Sequence, residues 1–281
     1  MIRYNLHQHS YFSDGAEAPE TYVQKAIELE LAAVGFTEHS PLPFETSFSL
    51  KEERADEYIS ETDRLKEEYK NQIAVYRGLE IDFIPGLSEN FDHWYNRLKL
   101  DYAIGSVHLV KPDRSEELWF IDGPKKEIYD EGLQNLFGND IQKAVKTYFR
   151  QVNQMVESQE FDIVGHVDKI KMHNQNRYFT EEEKWYRDLI LETLHLVKEK
   201  DLIVEVNTRG MYKKRAETLF PDGFALQQIA TLNIPVLISS DAHLPEELDL
   251  LFEYTLGKLK ENNIHEVYYF ENKNWVALPL V

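Results

Sequence analysis

The chain has 281 residues with a hydrophobic share of 42%, which is typical of a globular protein with a sizeable core and argues against disorder. It contains no cysteine, so disulfides and thiolate metal sites are excluded, and any metal must be held by histidine and carboxylate side chains. A formal net charge of −19 disfavours the phosphate contacts that dominate nucleic-acid binding and favours a small substrate.

The beginning of the sequence, MIRYNLHQHS, lacks the basic and apolar regions of a signal peptide. No later stretch approaches the ~20 apolar residues that span a bilayer. We therefore expect a cytoplasmic protein without a membrane partner. No repeat, low-complexity segment or Pro/Gly/Ser-rich linker divides the chain, which predicts one domain over residues 1–281.

Short apolar runs recur along the chain, and most are followed by a longer segment of helical character. This alternation predicts repeated βα units and seven strands. The predicted strands are 2–6, 31–37, 73–79, 102–107, 161–165, 202–206 and 234–239, and the predicted helices are 19–31, 49–70, 141–158, 180–200 and 222–231.

Two local signals refine this pattern. Thr180 followed by Glu183 fits a capping box at the start of a helix. Residues 111–140 contain several turn signals, which predict a long and partly irregular insertion after the fourth strand. Insertions of this kind often shape substrate pockets.

Histidines and acidic residues cluster at the ends of the predicted strands. In a parallel barrel these ends open on one face, so residues distant in sequence converge there. A single histidine at a strand end is more often structural, but this many imidazoles and carboxylates on one face indicate a metal centre. The ten candidates are His7, His9, His39, His108, His166 and His243, together with Asp14, Glu80, Asp168 and Asp241.

The local spacing of these residues suits coordination. His7 and His9 are two positions apart on an extended segment, so both imidazoles point to the same side and can bind one ion. Asp241 and His243 repeat that spacing. Asp14 follows the first pair in a turn, from which its carboxylate can face the same pocket.

Six motifs resemble those of the PHP phosphoesterase family, and they occur in the family's order over nearly the whole chain. They are HxHxxxSDG at 7–15, TEH at 37–39, GLE at 78–80, GSVH at 105–108, GHVD at 165–168 and SDAH at 240–243. Four longer segments are similar to the histidinol-phosphatase branch of the family. These are GLEIDFIPG at 78–86, DYAIGSVHLV at 101–110, DIVGHVDKIK at 162–171 and EVNTRG at 205–210.

The resemblance implies an α/β fold, a distorted seven-stranded (β/α)7 barrel of the PHP type, and a centre of three divalent metal ions. We expect zinc, with manganese or iron as alternatives, because these ions suit mixed nitrogen and oxygen ligands. Asp168 either orients a ligating imidazole or caps the segment after its strand. The implied ligands are His7, His9, Glu80 and Asp241 for one ion, Glu80, His108 and His166 for a second, and Asp14, His39 and His243 for a third.

The resemblance further implies hydrolysis of a small phosphate ester, L-histidinol phosphate, to L-histidinol and inorganic phosphate in histidine biosynthesis. Two ions sharing Glu80 as a bridge can activate a hydroxide for attack on phosphorus, with Asp241 as a second ligand at the reacting centre. Arg209 is our preferred phosphate clamp because its planar guanidinium suits bidentate contact. Arg177 is a second candidate for substrate binding.

Two alternative functions remain open at this point. One is a PHP phosphodiesterase or nuclease that acts on nucleic-acid ends, against which the acidic charge argues. The other is a metal-binding protein without catalysis, against which the complete ligand set argues. The carboxylates that would bind a cationic leaving group are also open, with the acid-rich segment 113–122 and Glu45 as candidates. The sequence does not determine the native metal or the oligomeric state.

Overall fold

The computed structural model describes residues 4–113 and 115–280. Its strands are β1 (Tyr4–Gln8), β2 (Ala33–Phe36), β3 (Ala74–Arg77), β4 (Glu80–Asp82), β5 (Ile104–Ser106), β6 (Leu109–Val110), β7 (Trp119–Phe120), β8 (Ile163–Val164), β9 (Ile203–Asn207), β10 (Val236–Ser239), β11 (Glu266–Glu271) and β12 (Asn274–Pro279). Its helices are α1 (Pro19–Glu28), α2 (Ala55–Glu68), α3 (Phe91–Leu98), α4 (Lys126–Phe137), α5 (Ile141–Ser158), α6 (Lys184–Glu199), α7 (Arg209–Tyr212), α8 (Gly223–Leu232) and α9 (Phe252–Glu261).

Two parallel sheets form the centre of the fold. One has the order β1-β2-β3, and the other has the order β10-β9-β8-β5-β4. The β3 and β4 strands are two parts of one bent run, and a parallel bridge between His39 and Glu80 continues the pairing across the bend. The two sheets also meet where β1 and β10 end, because the His9 amide donates to the Ala242 carbonyl at 2.8 Å. Seven parallel runs therefore surround one core, as the sequence predicted.

The predicted strands agree with the structure apart from their ends. The first was predicted over 2–6, of which residues 2 and 3 lie outside the described ranges, and the described strand continues to Gln8. Close packing inside the barrel explains one glycine in these strands. A Cβ on Gly35 would lie 1.8 Å from the Tyr102 hydroxyl, which donates to the Leu6 carbonyl at 2.6 Å.

The predicted helices also form, and most differ from the prediction at one or both ends. The α5 helix has the predicted bounds, and Asp140 caps it by accepting from the Lys143 amide at 3.0 Å. The α6 helix begins at Lys184, and only half of the predicted capping box forms, because Glu183 accepts from the Thr180 amide at 3.0 Å but no side chain caps the helix.

The segment 111–140 is more regular than predicted. It contains β7 and the twelve-residue helix α4, which packs on β7. A Cβ on Gly132 would lie 2.1 Å from the Trp119 ring, so the missing side chain is what permits this packing. The Trp119 indole donates to the Tyr129 carbonyl at 3.0 Å. The turn signals in the sequence concealed this helix.

The β11–β12 hairpin, which the sequence did not predict, covers the end of the barrel where the strands begin. Phe270 and Trp275 pack on Tyr102 with ring centroids 5.7 Å away in both cases. The Tyr4 hydroxyl donates to the Tyr268 carbonyl at 2.8 Å. Across residues 4–113 and 115–280, no helix combines the length and apolar character needed to cross a membrane.

Candidate metal centre

The carboxyl ends of the parallel strands surround a cavity of ≈ 430 Å³. All nine predicted metal ligands meet there. Asp14, His39, Glu80, His108, Asp241 and His243 line the cavity. His7, His9 and His166 lie buried beneath it, in contact with members of the lining. Three overlapping groups of nitrogen and oxygen atoms result.

The first group contains His7, His9 and Asp241, whose nearest ligand atoms all lie within 4.8 Å of one another. The Nε2 atoms of the two imidazoles are 3.2 Å apart. Oδ1 of Asp241 lies 3.4 Å from Nε2 of His9. Oε2 of Glu80 lies 3.3 Å from Nε2 of His7, so the four residues predicted for the first ion are together.

The second group contains His39, Glu80 and His108. His166, which the sequence predicted here, also adjoins it, with Nε2 3.0 Å from Oε1 of Glu80 and 3.1 Å from Nε2 of His108. Glu80 directs Oε1 to this pair and Oε2 to the first group. Its position is therefore that of a carboxylate between two candidate ion sites.

The third group contains His9, Asp14, His39 and His243. Oδ2 of Asp14 lies 3.1 Å from Nε2 of His243. Oδ1 of Asp14 lies 3.8 Å from His9 and 3.9 Å from His39. The Asp14 side chain is 30% exposed, which makes this group more open than the other two. Because His9 and His39 each belong to two groups, the three groups form one continuous cluster.

The chemistry of this cluster fits divalent cations. The Nε2 atoms of His7 and His9 lie 3.2 Å apart and those of His108 and His166 lie 3.1 Å apart, so buried nitrogen atoms face one another within the cluster. Nδ1 of His39 and Nδ1 of His166 are buried without a hydrogen-bond partner. Nitrogen and carboxylate oxygen atoms that converge in this way are the ligands zinc and related ions prefer.

Two buried carboxylates orient the imidazoles from behind. Oδ1 of Asp82 lies 2.6 Å from Nδ1 of His108, and Oε1 of Glu205 lies 2.5 Å from Nδ1 of His7. Oε2 of Glu205 also accepts from the His166 amide at 2.8 Å. Such contacts fix the ring and leave Nε2 facing the cluster. Neither role was predicted from the sequence, although both residues lie in segments similar to the family, GLEIDFIPG and EVNTRG.

The cluster keeps its carboxylates ionised. Burial alone would raise the pKa of Glu80, but the surrounding imidazoles, His7 foremost, hold it well below its usual range. Burial alone would lower the pKa of His108, but nearby carboxylates, chiefly Asp82, raise that pKa to about 10. Burial and neighbouring imidazoles lower the pKa of His9 to about 3. Imidazoles such as His108 therefore hold protons at neutral pH that balance the carboxylates, and a bound cation would take the place of those protons.

The backbone is unusual at two candidate ligands. His166 has a φ of +21° and Asp241 a φ of +51°, in the left-handed region that residues other than glycine rarely adopt. Both residues follow the ends of central strands. Strain of this kind concentrates at functional sites, where surrounding contacts hold the backbone in place.

Three cationic side chains line the cavity beside the cluster. Arg209, the predicted phosphate clamp, lines the wall and donates from Nη1 to the Asp241 carbonyl at 2.7 Å. Nζ of Lys169 lies 3.5 Å from carboxylate oxygens of Asp122 and Asp241. Arg215 lines the same cavity, and no carboxylate of residues 4–113 and 115–280 lies within ion-pair distance of it. Neither Lys169 nor Arg215 was predicted from the sequence, although Lys169 follows the GHVD motif directly.

Two predicted residues lie apart from the cluster. Arg177 does not line the cavity, because its guanidinium binds both oxygens of Asp130, at 2.7 and 2.8 Å. Oδ2 of Asp168 lies 2.7 Å from Nζ of Lys171, and its carboxylate neither contacts an imidazole nor caps the following 3-10 turn. Both roles considered for Asp168 are therefore wrong, because its carboxylate forms an ion pair with the buried Lys171 instead.

Comparison with known proteins gives likenesses over most of the chain. A relative from Deinococcus radiodurans, named "Probable histidinol-phosphatase", is 28% identical over 247 residues, which cover 86% of each chain. A solved structure of a Listeria monocytogenes protein matches with a TM-score of 0.80 and 22% identity, over 89% of this chain and 99% of that one.

A second solved structure is that of histidinol phosphate phosphatase from Lactococcus lactis in complex with zinc, L-histidinol and phosphate. It matches with a TM-score of 0.69 and 22% identity, over 98% of both chains. The two structural likenesses confirm the predicted fold class. The PHP domain family matches residues 5–209, which include seven of the nine candidate ligands. The chain therefore belongs to the PHP domain family.

Proposed function

We propose that this chain is a single-domain, metal-dependent phosphomonoesterase that hydrolyses L-histidinol phosphate to L-histidinol and inorganic phosphate in histidine biosynthesis. The observation that carries the proposal is the convergence of nine candidate ligand residues in one cavity, with an arginine on its wall. The name of the Deinococcus relative and the ligands of the Lactococcus structure support the choice of substrate.

Three divalent ions would occupy the cluster, and zinc is our first choice, with manganese or iron as alternatives. Bound there, the ions would supply Lewis acidity that polarises the phosphate and activates water for attack. In the proposed assignment Glu80 lies between the first two ions. The proposed ligands are His7, His9, Glu80 and Asp241 for the first ion, Glu80, His108 and His166 for the second, and Asp14, His39 and His243 for the third.

The protein's own cations would bind the phosphate group. Arg209 is nearly buried, and its guanidinium is held at the cavity wall by the Asp241 carbonyl. A fixed planar donor of this kind suits the oxygens of a phosphate ester. Lys169 and Arg215 add positive charge on the same wall, which offsets the charge of the substrate as the ester bond breaks.

Two aromatic rings and a carboxylate of the cavity lining match a cationic, aromatic leaving group. Phe48 and Phe120 line the cavity and stack with ring centroids 5.5 Å apart. Asp122 lies beside them, and one of its oxygens is buried without a hydrogen-bond partner. Of the other acidic candidates, Asp113 is paired with Arg150 away from the cavity. Asp122 is therefore our choice for the residue that attracts the imidazole or ammonium of the substrate.

A comparison of three substrates tests the proposal. We expect kcat/KM to be highest for L-histidinol phosphate, lower for an alkyl phosphate of the same length and lowest for a dinucleotide, because only the first has the cationic leaving group. A higher kcat/KM for the alkyl phosphate would contradict the proposed substrate. A higher kcat/KM for the dinucleotide would instead support the phosphodiesterase alternative.

A further inference from the structure

A buried carboxylate that contacts none of the candidate ligand side chains at hydrogen-bonding distance lies immediately behind the third group. Glu38 is fully buried and directly precedes His39 in the segment after β2. The two neighbouring side chains serve different partners. His39 faces the cavity, whereas Glu38 binds the loop that follows β1.

Glu38 binds this loop only through neutral donors. It accepts from the Ser10 amide at 3.0 Å, from the Ser10 hydroxyl at 2.6 Å, and from the Ser13 hydroxyl. Within the described ranges, no cationic side chain lies within ion-pair distance of it. A buried carboxylate without a cation is costly, and these hydrogen bonds compensate only part of that cost. A contribution to stability alone therefore does not explain a carboxylate at this position.

The loop that Glu38 holds is a tight turn. The Ser10 carbonyl accepts from the Ser13 amide at 3.1 Å and from the Gly15 amide at 2.9 Å. A Cβ on Gly15 would lie 2.2 Å from the His9 carbonyl oxygen, so the turn closes directly on the strand end. Asp14 lies within this turn, and the turn determines where its carboxylate lies.

The position of the Asp14 carboxylate depends on its loop more than the positions of the His7 and His108 rings depend on theirs. His7 and His108 are oriented by Glu205 and Asp82, whereas the side chain of Asp14 has its one described hydrogen bond with another member of its own group, His243. Among the described residues no other hydrogen bond holds this carboxylate, so the turn determines its position. Glu38 joins that turn to the strand end that carries His39.

We propose that Glu38 is a positioning residue for the third cation. By tying the loop of Asp14 to the segment of His39, it brings these two ligands to one place, and its charge adds to the negative potential behind Asp14. This inference rests on the proposed function in that it assumes bound cations. It requires that loss of Glu38 weakens the third ion most, because Asp14 belongs to that group alone, whereas His7 and His108 of the first two groups are oriented by Glu205 and Asp82.

Equilibrium dialysis of metal-free protein against zinc, with elemental analysis, tests this selectivity without any turnover. We expect three ions in the wild-type protein. In Glu38→Gln we expect two ions at wild-type affinity and a third weakened by about 10–100-fold, the usual cost of losing an outer partner of a metal site. Excess zinc should restore the third ion. Glu17→Gln, which removes an exposed charge from the same loop, should match the wild-type protein.

Ser10→Ala is a milder variant that removes one hydroxyl donor to Glu38 and leaves the charge in place. We expect this variant to lower the affinity for the third ion less than Glu38→Gln does. If Glu38→Gln fails to fold, this variant alone tests the proposed role of Glu38. Wild-type affinity for all three ions in either folded variant would overturn the proposal, as would equal weakening of all three. A wild-type protein that binds two ions would overturn both this role and the three-ion assignment.

Discussion

The two ends of the barrel are built from different kinds of side chain. At the end where the strands begin, Phe270 and Trp275 of the hairpin pack on Tyr102, and the Trp275 indole donates to Asp162 at 3.0 Å. At the opposite end, imidazoles and carboxylates are buried against one another, and two candidate ligands have positive φ values. The first arrangement stabilises the fold by burying apolar surface. The second costs free energy until cations balance it.

Substitutions at the two ends should therefore have different effects, on activity at the polar end and on stability at the aromatic end. A polar cluster assembled at a cost is expected to tolerate loss of a member with little change in the free energy of unfolding of the metal-free protein. Loss of an aromatic side chain that packs on Tyr102 is expected to lower the free energy of unfolding and leave activity unchanged. Substitutions at each end therefore test whether the comparison is correct.

The largest effect on activity is expected at the carboxylate between the first two groups. Glu80→Gln keeps the shape of the side chain but removes the charge that two ions would share, so we expect kcat to fall by roughly 10³-fold or more. His108→Ala should have a similar effect. Thermal unfolding of the metal-free proteins, measured beside the wild type, should change little. Near-wild-type turnover in either variant would contradict the assignment.

A smaller effect is expected at the proposed phosphate clamp. Arg209→Ala should lower kcat/KM by roughly 10²-fold, because it removes both the charge and the planar donor. Arg209→Lys should lose less, since it keeps the charge without the fork. Arg177→Ala is the matched control, because that side chain is paired with Asp130 away from the cavity. Equal activity in all three variants and the wild type would exclude a phosphate role for Arg209.

A still smaller effect, confined to cationic substrates, is expected at Asp122 in the cavity lining. Asp122→Asn should lower kcat/KM for L-histidinol phosphate by about ten-fold, the scale of one charged hydrogen bond, and leave an alkyl phosphate unaffected. Asp113→Asn removes the same charge from the same segment outside the cavity and should have no effect. An equal loss for both substrates would show that Asp122 acts on the phosphate or the metals instead.

The smallest effect on activity is expected at the opposite end of the barrel. Trp275→Ala removes packing on Tyr102 and the hydrogen bond to Asp162, so we expect the free energy of unfolding to fall by about 3 kcal/mol. Below its unfolding temperature the variant should keep the wild-type kcat/KM. Denaturant titration and steady-state kinetics on one sample would check both, and a large loss of activity in the folded variant would mean that the two ends are coupled.

The sequence predicted the strands and the candidate ligands because both depend on local signals. Each apolar run ends where its imidazole or carboxylate begins, and parallel topology then brings these ends together without further information. Residues 236–239 followed by Asp241 and His243 are an example. The resemblance to the PHP family implied the grouping of His166 with Glu80 and His108, and the structure places the three side chains next to one another.

Contacts between distant segments could not be predicted in this way. Whether Arg177 reaches the cavity depends on Asp130, which lies in a helix that the turn signals concealed. Asp168 follows a strand end just as the candidate ligands do, yet its carboxylate forms an ion pair with Lys171. The β11–β12 hairpin carries tyrosines and a tryptophan whose burial becomes evident only once the barrel end is in place.

Release of phosphate from L-histidinol phosphate, measured for one preparation before and after removal of its metal, tests whether hydrolysis depends on the bound ions. We expect the loaded protein to release phosphate with about three ions bound per chain. The stripped protein should be inactive, and zinc or manganese should restore its activity as the ions return. Equal rates for the stripped and loaded protein, or full activity with fewer than two ions bound, would contradict the account.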